Sequence, residues 1–340
     1  MSKIDDIEGF KVTVNRQLQD LFYNYGDSSS GWTGGDATYS VPLPDGSILW
    51  LFSDTFVGPV KNGYRPDMPM TKMINNCLVL QKGGKLSTIM GSDHENPRSF
   101  LYPDGDTWYW IGPGYFNGKS IEIIASEFRK KGEGIFGFEE LGLYAYEVDP
   151  WNFSTIRKKS LSWIRGTSFY SWILEDGNFL YVYGVKDNSM VLSRIRGKTI
   201  FSNFEFYSEG KWTDRIEDST KILKNVSHSY SVMRYLDGFI ILTINSDKEN
   251  PGLIRIYLGK EPYGPFDKHF DLYRTPELST YPNNSDYGII TYNALLHPEL
   301  STVNNLLVTY NVNGSGKLAL NDVSVYRPRF LNVKPYFRNF

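Results

Sequence analysis

The segment TYSVPLPDGSILWLFSD (residues 38–54) decides the fold, because it places Asp45-Gly46 between two runs rich in apolar side chains. Glycine readily adopts the positive φ that a tight hairpin turn needs, so this pattern predicts two antiparallel strands. Asp-Gly pairs recur in similar surroundings at 104–105, 176–177 and 237–238, at intervals of 59, 72 and 61 residues. A fifth hairpin fits the same spacing, with Asn304-Asn305 near its turn.

Composition favours a fold made of strands. The 340 residues include 53 aromatic side chains but only five alanines. Alanine is the best helix former, whereas aromatic side chains favour strands. Further strand-like segments follow each hairpin, so that each unit holds roughly four strands. Four strands repeated at this interval are typical of a β-propeller, and five units predict a five-bladed one.

The whole chain, residues 1–340, is therefore predicted to be a single all-β domain, a five-bladed β-propeller. A β-helix would repeat at much shorter intervals, and two β-sandwiches would be separated by a linker that the sequence lacks. The blades are expected at roughly 31–92, 93–162, 163–222, 223–280 and 281–340. The N-terminal segment FKVTVNRQL is expected to add an outer strand that closes the ring against the last blade.

Charge and composition exclude several classes of partner. The net charge is −2, which gives no electrostatic basis for nucleic-acid binding, and no apolar run is long enough to span a membrane. The lone Cys77 and the spacing of the four histidines predict neither a disulfide nor a metal site, and no cofactor is expected. The N-terminus lacks the apolar region of a signal peptide. We therefore expect a cytoplasmic monomer, or a cell-surface or secreted protein if a signal has been removed.

Two aspartates are predicted to meet at one mouth of the propeller channel. In each blade the start of the first strand and the end of the second lie at the same mouth, about nine residues either side of the turn. This count gives Asp36 and Asp54, which a two-residue turn at 45–46 would make diagonal neighbours. Taken singly, Asp54 is compatible with capping a loop and Asp36 with an Asx turn. Their symmetric placement favours a catalytic pair, because close carboxylates separate their pKa values as an acid and a nucleophile or base require.

The same count predicts a polar and aromatic mouth suited to a carbohydrate, since sugar rings stack on aromatic faces and hydroxyl groups pair with amides and carboxylates. Trp32, beside Gly34-Gly35, is the candidate sugar platform, whereas Trp50, Trp108, Trp110, Trp163 and Trp172 are expected in the core between blades. The remaining candidate substrate-binding residues are Glu95, Arg98, His228, Asn245, Asp247, Tyr292, Asn293, Asn311 and Asn313. His228 is also compatible with a structural role at a strand end.

The run GWTGGDATYSVPLPDGSILWLFSDTFVG (31–58) resembles the opening signature of a bacterial family of five-bladed propellers described as a domain of unknown function. The signature is roughly G-D-x-x-x-S-V-P-L-P-D-G-x-x-L-W-L-F-x-D-T, and INNCLVLQ, DGNFLYVYG, YNALLHPEL and LLVTYNVN match more weakly. Some relatives are endo-acting D-arabinanases, so the resemblance implies a glycoside hydrolase, with the family's paired acids at Asp36 and Asp54. Furanosidase propellers usually add a third acid, for which the sequence offers Glu95, Asp187 or Glu205.

Three functions remain open from the sequence. The first is a glycoside hydrolase acting on a furanose-containing or other bacterial polysaccharide, and the second is a non-catalytic propeller that binds glycans. The third is a protein-interaction scaffold, a common use of propellers. Raised pKa values at a carboxyl pair would favour the hydrolase, whereas carboxylates held by arginine or backbone amides would favour the binding module. A filled channel with an apolar face would favour the scaffold.

Overall fold

A computed structural model describes residues 3–28, 31–67, 69–92, 96–134, 137–245, 249–280 and 288–338. Their strands form five antiparallel sheets, arranged as the blades of a β-propeller. One edge strand of each sheet contacts the edge strands of the two neighbouring sheets, so these five inner strands surround a central channel. The prediction of an all-β, five-bladed propeller is confirmed.

The chain starts with a strand and a helix and then forms the first two blades. The strand is β1 (Ile7–Val14) and the helix is α1 (Arg16–Ser28). Blade 1 contains β2 (Trp32–Pro42), β3 (Ile48–Val57), β4 (Lys72–Ile74), β5 (Cys77–Lys82) and β6 (Lys85–Ile89). Blade 2 contains β7 (Thr107–Phe116), β8 (Ile121–Lys130), β9 (Phe138–Val148) and β10 (Thr155–Ser160). Their inner strands are β2 and β7.

Three further blades complete the ring. Blade 3 contains β11 (Thr167–Asp176), β12 (Phe179–Lys186), β13 (Ser189–Arg196), β14 (Phe204–Ser208), β15 (Lys211–Thr213) and the short β16 (Leu223–Lys224). Blade 4 contains β17 (Ser231–Tyr235), β18 (Gly238–Ile244), β19 (Leu253–Gly259) and β20 (Lys268–Arg274), and α2 (Glu277–Thr280) follows it. Blade 5 contains β21 (Ile290–Leu296), β22 (Leu306–Asn313), β23 (Arg329–Phe337) and β1, with α3 (Gly316–Asn321) between β22 and β23. Short 3₁₀ turns lie at Ile4–Asp6, Ile216–Asp218 and Pro298–Leu300.

The N-terminal segment closes the ring. β1 pairs antiparallel with β23, so both ends of the chain share the sheet of blade 5. The strand ends at Val14, because Asn15 caps the helix that follows by accepting a hydrogen bond from the Leu18 N–H at 3.1 Å. α1 buries Phe22 edge-on against Trp32 and Trp50, with ring centroids 5.4 and 5.3 Å apart. No helix in the described part of the chain is long and apolar enough to cross a bilayer.

The predicted Asp-Gly turns are correct in three blades, with small shifts. In blade 1, Pro42 pairs with Ile48 and the Leu43 N–H donates to the Ser47 carbonyl, so the turn is longer than the two residues predicted. In blade 3 the turn is Gly177-Asn178. In blade 4 it is Leu236-Asp237, with Leu236 at a φ of +55°.

The turn predicted at 104–105 in blade 2 is wrong. Asp104-Gly105 precedes the inner strand β7, and the first two strands of the blade are joined instead around Asn117–Ser120. The preceding segment SFLY does not pair with β7, because it is bound to Asn76 of blade 1. The Asn76 carbonyl accepts from the Phe100 N–H at 3.1 Å, and its side-chain Oδ1 accepts from the Leu101 N–H at 2.7 Å.

Candidate active site

Asp36 and Asp54 lie next to each other across the β2–β3 ladder. The register pairs Gly35 with Thr55 and Ala37 with Phe52, so Asp36 on β2 faces the segment of β3 that contains Asp54. The pairing is irregular here because Ala37 and Thr38 on β2 adopt φ values of +75° and +63°. The bulge interrupts the regular pairing expected from the sequence, and Asp36 lies in the first half of the inner strand β2.

Asp36 accepts hydrogen bonds from two tyrosines of blade 5. The Tyr292 hydroxyl donates to Oδ1, and the Tyr326 hydroxyl donates to Oδ2 at 3.1 Å. Burial and, to a smaller extent, the charge of Asp54 raise the pKa of Asp36, the two tyrosine hydroxyls lower it, and the result is a pKa of about 7. The residue as a whole is half-buried.

Asp54 is held by two donors that both reach the same oxygen. The Asn75 side-chain amide and the Trp110 indole N–H donate to Oδ1 at 3.0 and 2.8 Å. Burial raises the pKa of Asp54 to about 6, although both hydrogen bonds lower it. No described residue donates to Oδ2, so this oxygen remains available for chemistry.

A third carboxylate lies near the pair but comes from an unexpected position. Burial raises the pKa of the half-buried Tyr170, and the charges of Tyr39, Glu140, Asp36 and Asp54 raise it further, so this side chain interacts electrostatically with all three acids. Glu140, on β9, accepts hydrogen bonds from the hydroxyl groups of Ser126 and Ser168, the latter at 2.8 Å. Gly112 leaves room for Tyr170, since a Cβ at that position would lie 2.5 Å from the ring.

The third acids suggested by the sequence lie elsewhere or are not described. Asp187 is exposed and pairs with Lys221 at 2.9 Å, and Glu205 pairs with Arg194 at 2.7 Å. Glu95 and Asp247 lie outside the described residues. Glu140 escaped prediction because it comes from the third strand of its blade, which a count from the first hairpin does not reach.

Three of the predicted blade 5 residues, Tyr292, Asn311 and Asn313, form hydrogen bonds around Asp36. Asn311, 1% exposed, donates to the Gly35 carbonyl at 3.2 Å and to the Thr38 hydroxyl at 3.0 Å, which fixes the backbone on both sides of Asp36. The Asn313 side chain hydrogen-bonds to the Tyr292 hydroxyl. Asn293 lies in a bulge of β21, at a φ of +50°.

Other predicted binding residues do not contact the pair. Trp32 is wrong as a sugar platform because it is 0% exposed and packs between Phe22 and Phe52 in the core. Arg98 is exposed, with its guanidinium over the ring of Tyr102 at 3.3 Å. The exposed His228 accepts a hydrogen bond through its backbone carbonyl from the Ser171 hydroxyl at 2.6 Å. Asn245 is 7% exposed, and no described residue hydrogen-bonds to its side chain.

Trp110 is a site residue that the sequence assigned to the core. Its ring packs on Phe128 and Phe138, with centroids 4.3 and 4.8 Å apart, while its N–H points to Asp54. The alternation in TWYW places Trp108 and Trp110 on one face of β7, but nothing in the sequence shows that this face reaches the mouth. Within the described ranges, no group of three or more His, Cys, Asp or Glu side chains is placed to hold a metal ion.

Solved structures with a similar fold include enzymes that act on sugars. A "putative hydrolase" from Bacteroides ovatus superposes with a TM-score of 0.79 at 19% identity, over 95% of this chain and 90% of that one. Alpha-L-arabinofuranosidases from Podospora anserina and Coprinopsis cinerea each superpose with a TM-score of 0.50, at 9% and 10% identity, over 91% of this chain and 93% of theirs. At these identities the comparison shows a shared propeller fold.

The sequence comparison gives the family without an activity. No curated protein matches the chain. The family model described as "Domain of unknown function (DUF5005)" matches residues 19–336, which is nearly the whole length. The match begins within α1 and extends to Tyr336 in β23, so it leaves out β1 but includes the other strands of all five blades and every residue named around the aspartate pair. The chain therefore belongs to the DUF5005 family.

Proposed function

We propose that the protein is a glycoside hydrolase that cleaves a furanose-containing or other bacterial polysaccharide with Asp36 and Asp54. The main support is the pair itself: two half-buried carboxyls lie side by side at a channel mouth, with their pKa values raised to about 7 and about 6. Such a pair holds one proton near neutral pH, as glycoside hydrolysis by an acid and a base or nucleophile requires.

The surroundings favour Asp36 as the general acid. It has the higher pKa of the pair, since burial and the charge of Asp54 both favour its protonated form. In the proposed step, Asp36 transfers its proton to the glycosidic oxygen as the bond from that oxygen to the anomeric carbon breaks. The departing alcohol is thereby neutral, and the sugar passes through an oxocarbenium-like state.

Asp54 then serves as the ionised partner. Its Oδ1 is fixed by Asn75 and Trp110, so the free Oδ2 either attacks the anomeric carbon or removes a proton from an attacking water. In the first case water later releases the sugar from Asp54, and in the second the sugar is released in one step. In the first case Asp36 takes up the proton of that water, and in the second Asp54 passes its proton to solvent and Asp36 regains one from solvent before the next cycle.

The rest of the mouth suits a neutral sugar. Tyr170, Tyr292 and Trp110 are half-buried aromatic side chains around the carboxyls and offer ring faces to a sugar, while the hydroxyl of Tyr292 and the indole N–H of Trp110 are bound to Asp36 and Asp54. Neither carboxyl of the pair forms an ion pair with a described Arg or Lys, so the mouth lacks the cation that would favour a phosphate or carboxylate ligand. The arabinofuranosidases with this fold support the choice of furanose polymers as the first substrates to test.

The same observations favour catalysis over binding alone. A binding module would use ionised carboxylates held by arginine or backbone amides, whereas the described contacts of these two aspartates come from neutral side chains. Raised pKa values also keep these carboxyls partly protonated at neutral pH, which makes them weaker hydrogen-bond acceptors.

The test is release of reducing sugar from arabinan, arabinoxylan, arabinogalactan and fructan by the wild type, Asp36→Asn and Asp54→Asn. We expect cleavage of at least one polymer and a loss of about 10²-fold or more in each variant, since proton transfer and attack both need the acid. Asp45→Asn is the matched control, because Asp45 lies on the same hairpin but at its turn, where it pairs with Lys82. Polymers that bind to the wild type without being cut would instead support the glycan-binding alternative.

A further inference from the structure

A second cavity lies at the opposite end of the central channel from the aspartate pair. It has a volume of about 420 Å³ and is lined by the final parts of the inner strands of blades 1 to 4 and by the turn after β21. Tyr39 separates it from the aspartate mouth, because its side chain crosses from blade 1 to blade 3 and donates to the Ser171 carbonyl at 3.1 Å. The site is therefore distinct from the proposed active site and does not depend on it.

Glu299 provides an unsatisfied acceptor in this cavity. Its Oε1 is buried and has no hydrogen-bond partner among the described residues. Glu299 lines the cavity, and a buried carboxyl oxygen without a donor costs free energy, so this carboxyl would gain from a further donor.

A chain of neutral groups holds the Glu299 side chain in place. The Ser40 hydroxyl donates to the carboxyl of Glu299. Ser40 also hydrogen-bonds to His297 Nδ1 at 2.5 Å, and His297 Nε2 hydrogen-bonds to the Thr309 hydroxyl at 2.8 Å. Burial lowers the pKa of His297 to about 3, so this imidazole stays neutral. The chain fixes Glu299 without supplying a positive charge.

The other charges on the cavity wall are already paired. Arg234 forms two hydrogen bonds to Asp176, at 2.5 and 3.0 Å. Glu175 pairs with Lys198 and accepts from the Tyr115 hydroxyl at 2.8 Å. Within the described lining, Glu299 is therefore the carboxyl that lacks a cation.

We propose that this cavity binds a primary ammonium group on a compact apolar body, with the ammonium donating to the carboxyl of Glu299. An ammonium supplies both the missing donor and the missing positive charge, which a neutral hydroxyl would supply only in part. Tyr115, Phe116 and Trp172 line the cavity and offer aromatic surface to the apolar body and to the cation. Met233 and Pro298 extend the apolar wall.

The proposal predicts a specific dependence on pH. Burial raises the pKa of Glu299 to about 7, and ammonium binding needs its ionised form. The neighbouring groups keep their charges: His297 and Tyr39 stay neutral because burial shifts their pKa values away from neutrality, and Lys198 lowers the pKa of Glu175. Asp176 raises the pKa of Arg234, which stays charged. Ionised Glu299 falls about tenfold between pH 8 and pH 6, and the affinity should fall with it.

The experiment is titration calorimetry of the full chain with benzylamine and with benzyl alcohol, its neutral counterpart of similar shape. We expect benzylamine to bind at least tenfold more tightly than the alcohol at pH 8, and to lose about tenfold in affinity at pH 6. Asp36→Asn should bind benzylamine as the wild type does, whether or not the protein cleaves polysaccharides. Equal affinity for the two probes, tighter binding of the alcohol, or no binding of benzylamine would each overturn the proposal.

Variants then test whether the affinity for benzylamine and its pH dependence are due to Glu299. Glu299→Gln should lose at least tenfold in benzylamine affinity at pH 8 and lose the pH dependence. Glu175→Gln, which changes a carboxylate already paired on the same wall, should alter the affinity less than threefold. Should Glu299→Gln fail to fold, Ser40→Ala removes the donor that lowers the pKa of Glu299, and the midpoint of the pH dependence should rise. An unchanged midpoint in Ser40→Ala would contradict the assignment.

Discussion

Replacing Asp36 with asparagine should stabilise the protein relative to the wild type, by an amount that grows as the pH rises. An aspartate in the unfolded chain loses its proton near pH 4, whereas burial and the charge of Asp54 delay this loss in the folded protein to about pH 7. The folded state therefore binds more protons than the unfolded state between these values, and the wild type loses stability as the pH rises through this window. Asparagine does not titrate, so the variant avoids this loss.

The size of the effect follows from the difference between the two pKa values. A rise from 3.8 to about 7 corresponds to at most about 4 kcal/mol, at about 1.4 kcal/mol per pKa unit. Solvent screens the half-buried carboxyl and Asp54 shares the titration, so we expect about 1–2 kcal/mol. The amide group of the introduced asparagine would meet one tyrosine hydroxyl less favourably, at a cost of about 0.5–1 kcal/mol at every pH.

Urea unfolding followed by tryptophan fluorescence at pH 4.5, 6 and 8 measures this effect. We expect Asp36→Asn to be slightly less stable than the wild type at pH 4.5 and more stable by about 1 kcal/mol at pH 8. Asp45→Asn is the control: Lys82 and Ser47 lower the pKa of Asp45, so both states are ionised from pH 6 upwards and its stability difference should not change there. A constant loss of about 1–3 kcal/mol in Asp36→Asn at all three pH values would show that Asp36 is an ordinary structural acceptor.

Three further substitutions test the surroundings. Trp110→Phe keeps the aromatic packing but removes the N–H that lowers the pKa of Asp54, so the acidic limb of the pH–rate profile should move to higher pH and kcat/KM should fall about tenfold. Arg65→Met should lower the free energy of unfolding by about 3–5 kcal/mol in urea titrations, because the buried guanidinium donates to four backbone carbonyls. Arg338 is exposed, so Arg338→Met should change the free energy of unfolding little. Burial lowers the pKa of the His297 imidazole to about 3 in the folded state only, so the wild type should lose stability as the pH falls from 6.5 towards 3, by about 3 kcal/mol at pH 4. His297→Gln should remove this loss. Equal acid sensitivity of the two proteins would contradict the prediction.

The propeller could be predicted from the sequence because each blade repeats a local signal. Glycine or asparagine at positive φ, flanked by apolar strands, marks the turns of blades 1 and 3 in both the sequence and the structure. Blade 2 shows where this reasoning fails. The side chain and carbonyl of Asn76 bind the segment before Asp104, and such a long-range contact leaves no local pattern in the sequence.

Only part of the candidate site could be predicted from the sequence, for a similar reason. The count from the hairpin located Asp36 and Asp54, since both lie on one hairpin and within its own register. Tyr326 follows α3 outside any strand and reaches Asp36 only because Arg65 binds the carbonyls of Val323 and Val325 just before it. Its position depends on tertiary contacts, so no strand pattern could have predicted it.

The irregular stretch of β2 connects these observations. A regular two-residue hairpin would pair residue 36 with residue 55, which would leave the two aspartates as diagonal neighbours. The longer turn instead sets Pro42 opposite Ile48, and this register places Asp36 opposite Asp54. The left-handed Ala37 and Thr38 form a local bulge within it, and the pairing returns to the same register at Gly35 and Thr55. Such backbone is costly for residues other than glycine, and Asn311 stabilises it by binding the Gly35 carbonyl and the Thr38 hydroxyl. The strain is thus confined to the few residues that hold Asp36 beside Asp54, which is where a catalytic site would require it.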